Sequence, residues 1–284
     1  MIPSIAILAP GAMGSAVAAR LVERGAKVLT SLEGRSEATK KRASAAGMVA
    51  STDAEITNAD IILSIVPPGE ALALAEHLAT LMTRNSRKPV FVDCNAVNVE
   101  TVRKVEDMIR SSGARFVDAG IIGAPPMPGS KGPALYVSGE AAGALGALRD
   151  LGLDIRIIAG PVGAASALKM SYAGINKGLT GLGAAMVLAA TRAGAADALR
   201  DELALSVPAV QMRLATALPD MLPKAYRWVA EMREIAGFLG PDHPAALIYE
   251  GFARLFEHIA MDVQGEGTDA AKLVAFADGC KAKS

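Results

Sequence analysis

Aromatic residues make up only 4% of this 284-residue chain, with a single tryptophan. So small a supply argues against a base-stacking platform for single-stranded nucleic acid. An excess of charge of one sign is also missing, since 29 Lys+Arg balance 29 Asp+Glu. The chain therefore lacks the electrostatic footprint of a nucleic-acid or membrane-surface binder. Cysteine is limited to Cys94 and Cys280. Two such residues make no disulfide framework and fit no metal-ligand spacing, so no metal is expected and a reducing cytoplasm is the expected setting. No apolar run reaches the ~18 residues of a membrane-spanning helix. The apolar start, Ile5-Ala6-Ile7-Leu8, is too short for a secretory h-region and has no basic n-region before it.

What is present is apolar: 51% of the residues, enough for a sizeable core. The length suits one large domain or two ordinary ones. Strand-like runs are expected at residues 5–8, 27–30, 61–66 and 90–93, with helical patterns at 13–24, 37–46 and about 70–82. This alternation implies βαβ units and a parallel sheet buried on both faces. Residues 116–119, 134–138 and 155–158 extend the strand-rich region. After about Gly163 the strand signals stop. Residues 165–193 read as one long helix with Gly174, Gly178, Gly181 and Gly183 along it, followed by helices punctuated by Pro208, Pro219, Pro223, Pro241 and Pro244. The expected organisation is an α/β domain over 1–163 and an all-α domain over 164–284, joined by that long helix and not by a tether.

The stretch Ala9-Pro10-Gly11-Ala12-Met13-Gly14 lies between the first strand and the first helix. A glycine motif in that place presents backbone N–H groups and a helix N-terminus to a pyrophosphate, the mark of a Rossmann-type dinucleotide-binding domain. Ala9 replaces its first glycine. Gly11 and Gly14 keep the positions for close cofactor approach and close helix packing, with Ala12 and Met13 between them. After the second strand the chain reads Thr30-Ser31-Leu32-Glu33-Gly34-Arg35-Ser36. No carboxylate directly ends the strand to take a ribose hydroxyl, whereas Ser31, Arg35 and Ser36 offer donors to a 2′-phosphate. NADP(H) is therefore favoured over NAD, with Glu33 as the evidence against. Ligands bind at the carboxyl ends of parallel strands, which puts Val66, Pro67 and Asn95 near the nicotinamide ribose. Cys94 has no base to activate it and reads as a buried small side chain.

These residues resemble the β-hydroxyacid dehydrogenase and 6-phosphogluconate dehydrogenase superfamily. Gly11-Ala12-Met13-Gly14 is similar to its G-x-G-x-M-G motif. Asp118-Ala119-Gly120-Ile121-Ile122-Gly123 resembles its substrate loop D-A-P-V-S-G, and residues 160–169 resemble the glycine-containing approach to its catalytic lysine. Details such as Leu8-Ala9-Pro10-Gly11, residues 30–36, Lys169-Met170-Ser171-Tyr172-Ala173-Gly174 and Lys224-Ala225-Tyr226-Arg227-Trp228 resemble a branch whose C-terminal domain has no assigned function. The resemblance implies hydride transfer between NADP(H) and a hydroxy or carbonyl substrate, with Ile121, Ile122 and Gly123 in the substrate loop. Two departures stand out. Ile122 replaces the serine of that loop, and Ala173 replaces an asparagine four residues after the lysine. Both remove polar groups, so a bulkier or less polar substrate is expected.

None of the three histidines, His77, His243 and His258, lies near a strand-end site. Lys169 is the candidate acid–base group. From the residues alone it is either a catalytic amine or an ordinary lysine snorkelling at a helix end; the resemblance implies the first. Tyr172, one turn on, either assists at the substrate oxygen or is structural. Asn176 continues the i, i+7 stripe towards the cleft, while Lys177 is expected to face solvent. Arg227 either pairs with Glu231 across a helix face or binds an anionic substrate. The small-residue face Gly174, Gly178, Gly181 and Ala185 predicts close approach of another helix and a homodimer built from C-terminal helices. Two other readings share the pattern: an imine reductase, in whose relatives an aspartate or tyrosine stands at the lysine position, and a regulatory protein that binds NADPH without turnover.

Overall fold

A computed structural model describes residues 2–127 and 129–281. Among these, the strands are β1 (Ile5–Leu8), β2 (Val28–Thr30), β3 (Val49–Ala50), β4 (Ile61–Ser64), β5 (Val90–Asp93), β6 (Arg115–Ile122), β7 (Ala134–Ser138) and β8 (Asp154–Ile157). The helices in the same stretch are α1 (Ala12–Glu23), α2 (Glu37–Ala45), α3 (Asp53–Ile56), α4 (Ala71–Thr83), α5 (Val99–Ser111) and α6 (Gly146–Asp150). The strands form one sheet in the order β3-β2-β1-β4-β5-β6-β7-β8. All neighbours pair in parallel except β6 and β7, which are antiparallel. The strand order reverses between β1 and β4, the switch point at which such sheets bind ligands.

Strands β1, β4 and β5 are buried at every position, which is why they read as unbroken apolar runs and not as alternating ones. Helix α1 covers one face of the sheet with Val17, Ala18 and Leu21. Helices α4 and α5 cover the other with residues such as Leu78, Met82, Val105 and Ile109. Four elements had no expectation in the sequence: β3, α5 and the short helices α3 and α6. Helix α5 buries only Val102, Val105 and Ile109 among charged neighbours, and its start is marked by Asn98, whose side chain accepts from Thr101 N at 3.0 Å. Strand β3 is two exposed residues on the sheet edge. β7, which runs against β6, is a departure from the all-parallel expectation.

The rest is helical: α7 (Ala164–Arg192), α8 (Ala196–Ser206), α9 (Pro208–Met221), α10 (Ala225–Leu239), α11 (Ala246–Gln264) and α12 (Thr268–Lys281). The chain divides into compact units of residues 1–170 and 171–284, so the division falls inside α7. In the second unit a methyl group added at Gly181 would come within 2.7 Å of Phe252 and 3.2 Å of Phe256, and one at Gly174 within 3.0 Å of the Tyr249 hydroxyl. The small-residue face of α7 is thus filled by α11 of the same chain. Trp228 of α10 meets Phe256 edge to face at 5.1 Å, closing the same core. No helix among the described residues is long and apolar enough to cross a membrane.

Candidate active site

The turn from β1 into α1 is shaped by two glycines with different tasks. A Cβ on Gly14 would collide with the carbonyl oxygen of Ala9, so only glycine lets α1 sit this close to the strand. A Cβ on Gly11 would meet nothing within 4 Å, so that face is open. Gly11 is also the N-cap of α1; no side chain caps the helix, and its first turn holds no acidic residue. Uncapped N–H groups at a helix start favour an anion. The chain's own residues therefore fit the pyrophosphate of a dinucleotide at Gly11, Ala12, Met13 and Gly14.

Beyond β2, Ser31 and Arg35 are half-buried and Ser36 is exposed. Ser36 caps α2, accepting from Thr39 N at 3.3 Å. The structure adds Arg42, which the sequence reading passed over. Its Nε donates to the carbonyl of Pro10 at 3.3 Å and its Nη2 to Thr39 Oγ1 at 2.9 Å. Arg42 thereby joins α2 to the glycine loop. The available signal was an arginine on the polar helix one heptad after Arg35.

At the ends of β4 and β5, Asn95 acts as a clamp. Its Oδ1 accepts from Val66 N at 2.7 Å and its Nδ2 donates to Ser64 Oγ at 2.9 Å. Both ends of the amide are engaged and the residue is 3% exposed. Asn95 therefore shapes the loop carrying Val66 and the exposed Pro67. Cys94 is buried, and burial pushes its thiol well above the ordinary range, which keeps it unreactive.

The start of α7 is held by Asp118 of β6, which is fully buried. Its Oδ2 accepts from Gly163 N at 2.9 Å, Ala165 N at 3.0 Å, Ser166 N at 3.1 Å and Ser138 Oγ at 2.9 Å. Its Oδ1 accepts from Ser166 Oγ at 2.6 Å. A carboxylate on another element thus meets the orphan amides of α7 and the positive end of its dipole. Gly120, two residues on, lets the helix lie against the strand: a Cβ there would be 2.8 Å from Ala165 O and 3.1 Å from Lys169 Cβ. Lys169 is therefore seated over β6, half-buried. Ile121 is buried, Ile122 half-buried and Gly123 exposed; Gly123 takes φ +128°, which favours glycine.

Across the sheet Asp93 pairs in register with Asp118. Asp93 is 1% exposed; its Oδ1 accepts from Asn95 N at 2.9 Å, while its Oδ2 is buried with no hydrogen-bond partner. Burial pushes the Asp93 carboxyl up to about 7, with the Asp118 charge adding to the rise and the Asn95 amide and the Lys169 charge opposing it.

Further along α7, Tyr172 is 50% exposed. It lies on a stripe of exposed apolar residues (Leu168, Ile175, Leu179, Leu182 and Met186) at alternating spacings of four and three. Within the helical unit Asn176 is bonded by Arg213, and both line a cleft of about 460 Å³ with Thr216, Asp220 and Trp228. Lys177 does not face solvent. Its side chain is 17% exposed, ion-paired with Glu231 and 5.1 Å from the centroid of the Trp228 ring. Burial lowers its pKa. Because Glu231 is taken by Lys177, Arg227 lies instead exposed with its guanidinium 5.9 Å over the Tyr226 ring.

A doubly wound sheet with an open, uncapped glycine loop, followed by a helical unit, defines a nicotinamide-dinucleotide-binding oxidoreductase fold. The chain belongs to the family of the NAD binding domain of 6-phosphogluconate dehydrogenase, which matches residues 4–149; residues 190–259 match a domain of unknown function, DUF1932. It is 32% identical over 179 residues to an uncharacterized 28.5 kDa protein of Methanothermus fervidus, covering 62% of this chain and 67% of that one. It is 34% identical over 140 residues to an NADPH-dependent reductive aminase of Aspergillus oryzae, covering 48% of this chain and 45% of the relative. The chain thus spans less than half the length of that enzyme. Among solved structures, a conserved protein of unknown function, MTH1747, described as similar to 3-hydroxyacid dehydrogenases, matches with a TM-score of 0.72 and 28% identity over 93% of this chain and 99% of the other. At 23% identity an imine reductase variant of Myxococcus stipitatus in complex with NAD+ shares the fold, with a TM-score of 0.61 over 97% of this chain and 99% of that one. The named proteins it resembles include 3-hydroxyisobutyrate dehydrogenases and imine reductases.

Proposed function

We propose that the chain is an NADP(H)-dependent dehydrogenase or carbonyl reductase in which Lys169 is the general acid and base. The observation that carries this reading is the seating of Lys169 over β6, on a helix whose start is pinned by the buried Asp118. A pinned helix start fixes where the Lys169 backbone and Cβ lie beside β6, and such positioning is what an acid–base catalyst requires. A bound nicotinamide supplies the hydride; Lys169 donates a proton to the substrate oxygen in reduction and accepts one in oxidation. Ile122, half-buried at the end of β6, puts an apolar side chain in the substrate loop, which favours a substrate less polar than a small hydroxy acid. The test is oxidation of NADPH by purified protein across a panel of aldehydes, ketones, 3-oxoacids and imines. Turnover of carbonyls supports the reading; turnover confined to imines replaces it. The likeness to a reductive aminase over 140 residues supports that second, C=N reading.

For the cofactor, Arg35 and Arg42 are the cations after β2, and Arg42 donates to Thr39 Oγ1, which is also bonded to Ser36 Oγ. Either arginine changed to alanine is expected to weaken NADPH by ~1.5–3 kcal/mol, the contribution of a charge-assisted contact, and to leave NADH almost unchanged. Calorimetric titration with both cofactors measures this, and equal losses for both would reverse the assignment to NAD.

For assembly, the small-residue face of α7 is occupied within the chain, so the homodimer proposal moves to the exposed stripe from Leu168 to Met186. Its four-and-three spacing is that of a helix-pairing seam, and a second copy would cover it symmetrically. The wild type is expected to sediment as a dimer at micromolar concentration and Leu179→Glu/Leu182→Glu as a folded monomer. A monomeric wild type would remove the proposal.

A further inference from the structure

The spacing along α7 turns Asn176 towards a cleft, but its side chain is already engaged. Arg213 of α9 donates through Nη2 to the Asn176 carbonyl at 2.9 Å and also to Asn176 Oδ1. The cleft both residues line, about 460 Å³, belongs wholly to the helical unit and is walled by α7, α9 and α10. Its volume is that of a small-molecule site, ~300–1,000 Å³. The charges around it are unequally provided for. Lys177 is ion-paired with Glu231 and lies 5.1 Å from the centroid of the Trp228 ring. Asp220, 67% exposed, is paired with Lys224 at 2.6 Å. Arg213 is half-buried and has no carboxylate partner among the described residues. Its Nε is buried with no hydrogen-bond partner, and no described residue accepts from its Nη1. A guanidinium does not relieve this by losing its proton. A half-buried cation is costly until an anion meets it.

We propose that this cleft binds an organic monocarboxylate, whose oxygens meet the Arg213 guanidinium and whose carbon skeleton takes the Trp228 side. A planar carboxylate matches the planar donor fork of an arginine. The chemistry selects a carboxylate over a phosphate. A phosphate dianion calls for several donors, and the hydroxyl protons of Thr180 and Thr216 are already given to the carbonyls of Asn176 at 3.1 Å and Met212 at 2.8 Å. One unpaired cation answers one negative charge, and the Asp220 carboxylate on the same cleft repels a second. The site uses neither Lys169 nor the glycine loop, so it stands independently of the reaction proposed above.

Trp228 is the single tryptophan of the chain, so its fluorescence reports this cleft with no cofactor and no turnover. Titration of the purified protein with butyrate is expected to give a saturable change with a midpoint below ~10 mM, within reach of one charge-assisted contact and a few carbons. Butyramide, with the same skeleton and no charge, is expected to give none. Arg213→Gln is expected to weaken butyrate by ~10-fold or more, the loss of a charge-assisted contact. Arg213→Lys keeps the charge without the fork and is expected to fall between. Asp220→Asn removes a like charge and is expected to tighten butyrate by ~2-fold at low salt; this exposed position decides the matter should Arg213→Gln not fold. No saturable change with butyrate, an equal response to butyramide, an unchanged midpoint in Arg213→Gln, or unchanged or weaker binding in Asp220→Asn overturns the inference. Saturation by inorganic phosphate in place of butyrate overturns the carboxylate class. None of these outcomes touches Lys169, whose own test is turnover of the substrate panel.

Discussion

Lys169→Ala is expected to lower kcat by ~10²–10⁴-fold while NADPH binds almost as before. The cofactor loop and the lysine belong to different elements, α1 and α7, so the substitution removes the proton carrier without touching Gly11 or Gly14. Lys169→Arg is expected to rescue little, because a guanidinium does not give up its proton in a protein. Tyr172→Phe is the informative companion. Its ring is half exposed, on the apolar stripe of α7, so losing the hydroxyl is expected to cost much less than losing the amine. Steady-state kinetics on a substrate found by the panel, with cofactor affinity measured separately, checks all three. A fully active Lys169→Ala beside an inactive Tyr172→Phe would make tyrosine the acid and favour imine chemistry.

The largest loss of stability is expected from Asp118→Ala. That carboxylate accepts from three amides at the start of α7 and from two serine hydroxyls, all buried. Its removal strands several donors in the interior at once, whereas an ordinary cap substitution costs ~1 kcal/mol. The expected loss exceeds ~3 kcal/mol, at the upper end of single-residue effects. Asp118→Asn keeps the volume but offers one oxygen where two accept, so it is expected to fall between wild type and alanine. Urea unfolding of the three proteins gives the order, and an alanine variant as stable as wild type would mean that α7 is held by its packing alone.

Much of the α/β half was legible because its signals are local. An unbroken Ile/Leu/Val run such as β4 reports a strand covered on both faces, and Gly11 and Gly14 mark where the chain turns from strand to helix. Helix α5 was missed because the face it buries is only three residues wide, although Asn98 carried a capping signal. Arg42 was missed because its partner, the Pro10 carbonyl, lies 32 residues back. Lys177 was misread because helical spacing says which residues share a face but not what covers that face; here Glu231 and Trp228 do.

The sequence by itself determined the alternation of strands and helices, the glycine loop and its uncapped helix, and the change to helical texture after Gly163. Each depends on a period or spacing within a dozen residues, where propensity and burial act directly. The tertiary structure alone decided that Asp118 meets the amides of α7 across 45 to 48 residues, and that Asp93 stands beside it in register. It also decided that the small-residue face of α7 goes to α11 of its own chain. The reason is physical. A buried carboxylate costs the same wherever it lies in the sequence, and only strand order and register determine which donors come close enough to offset that cost and which like charge adds to it.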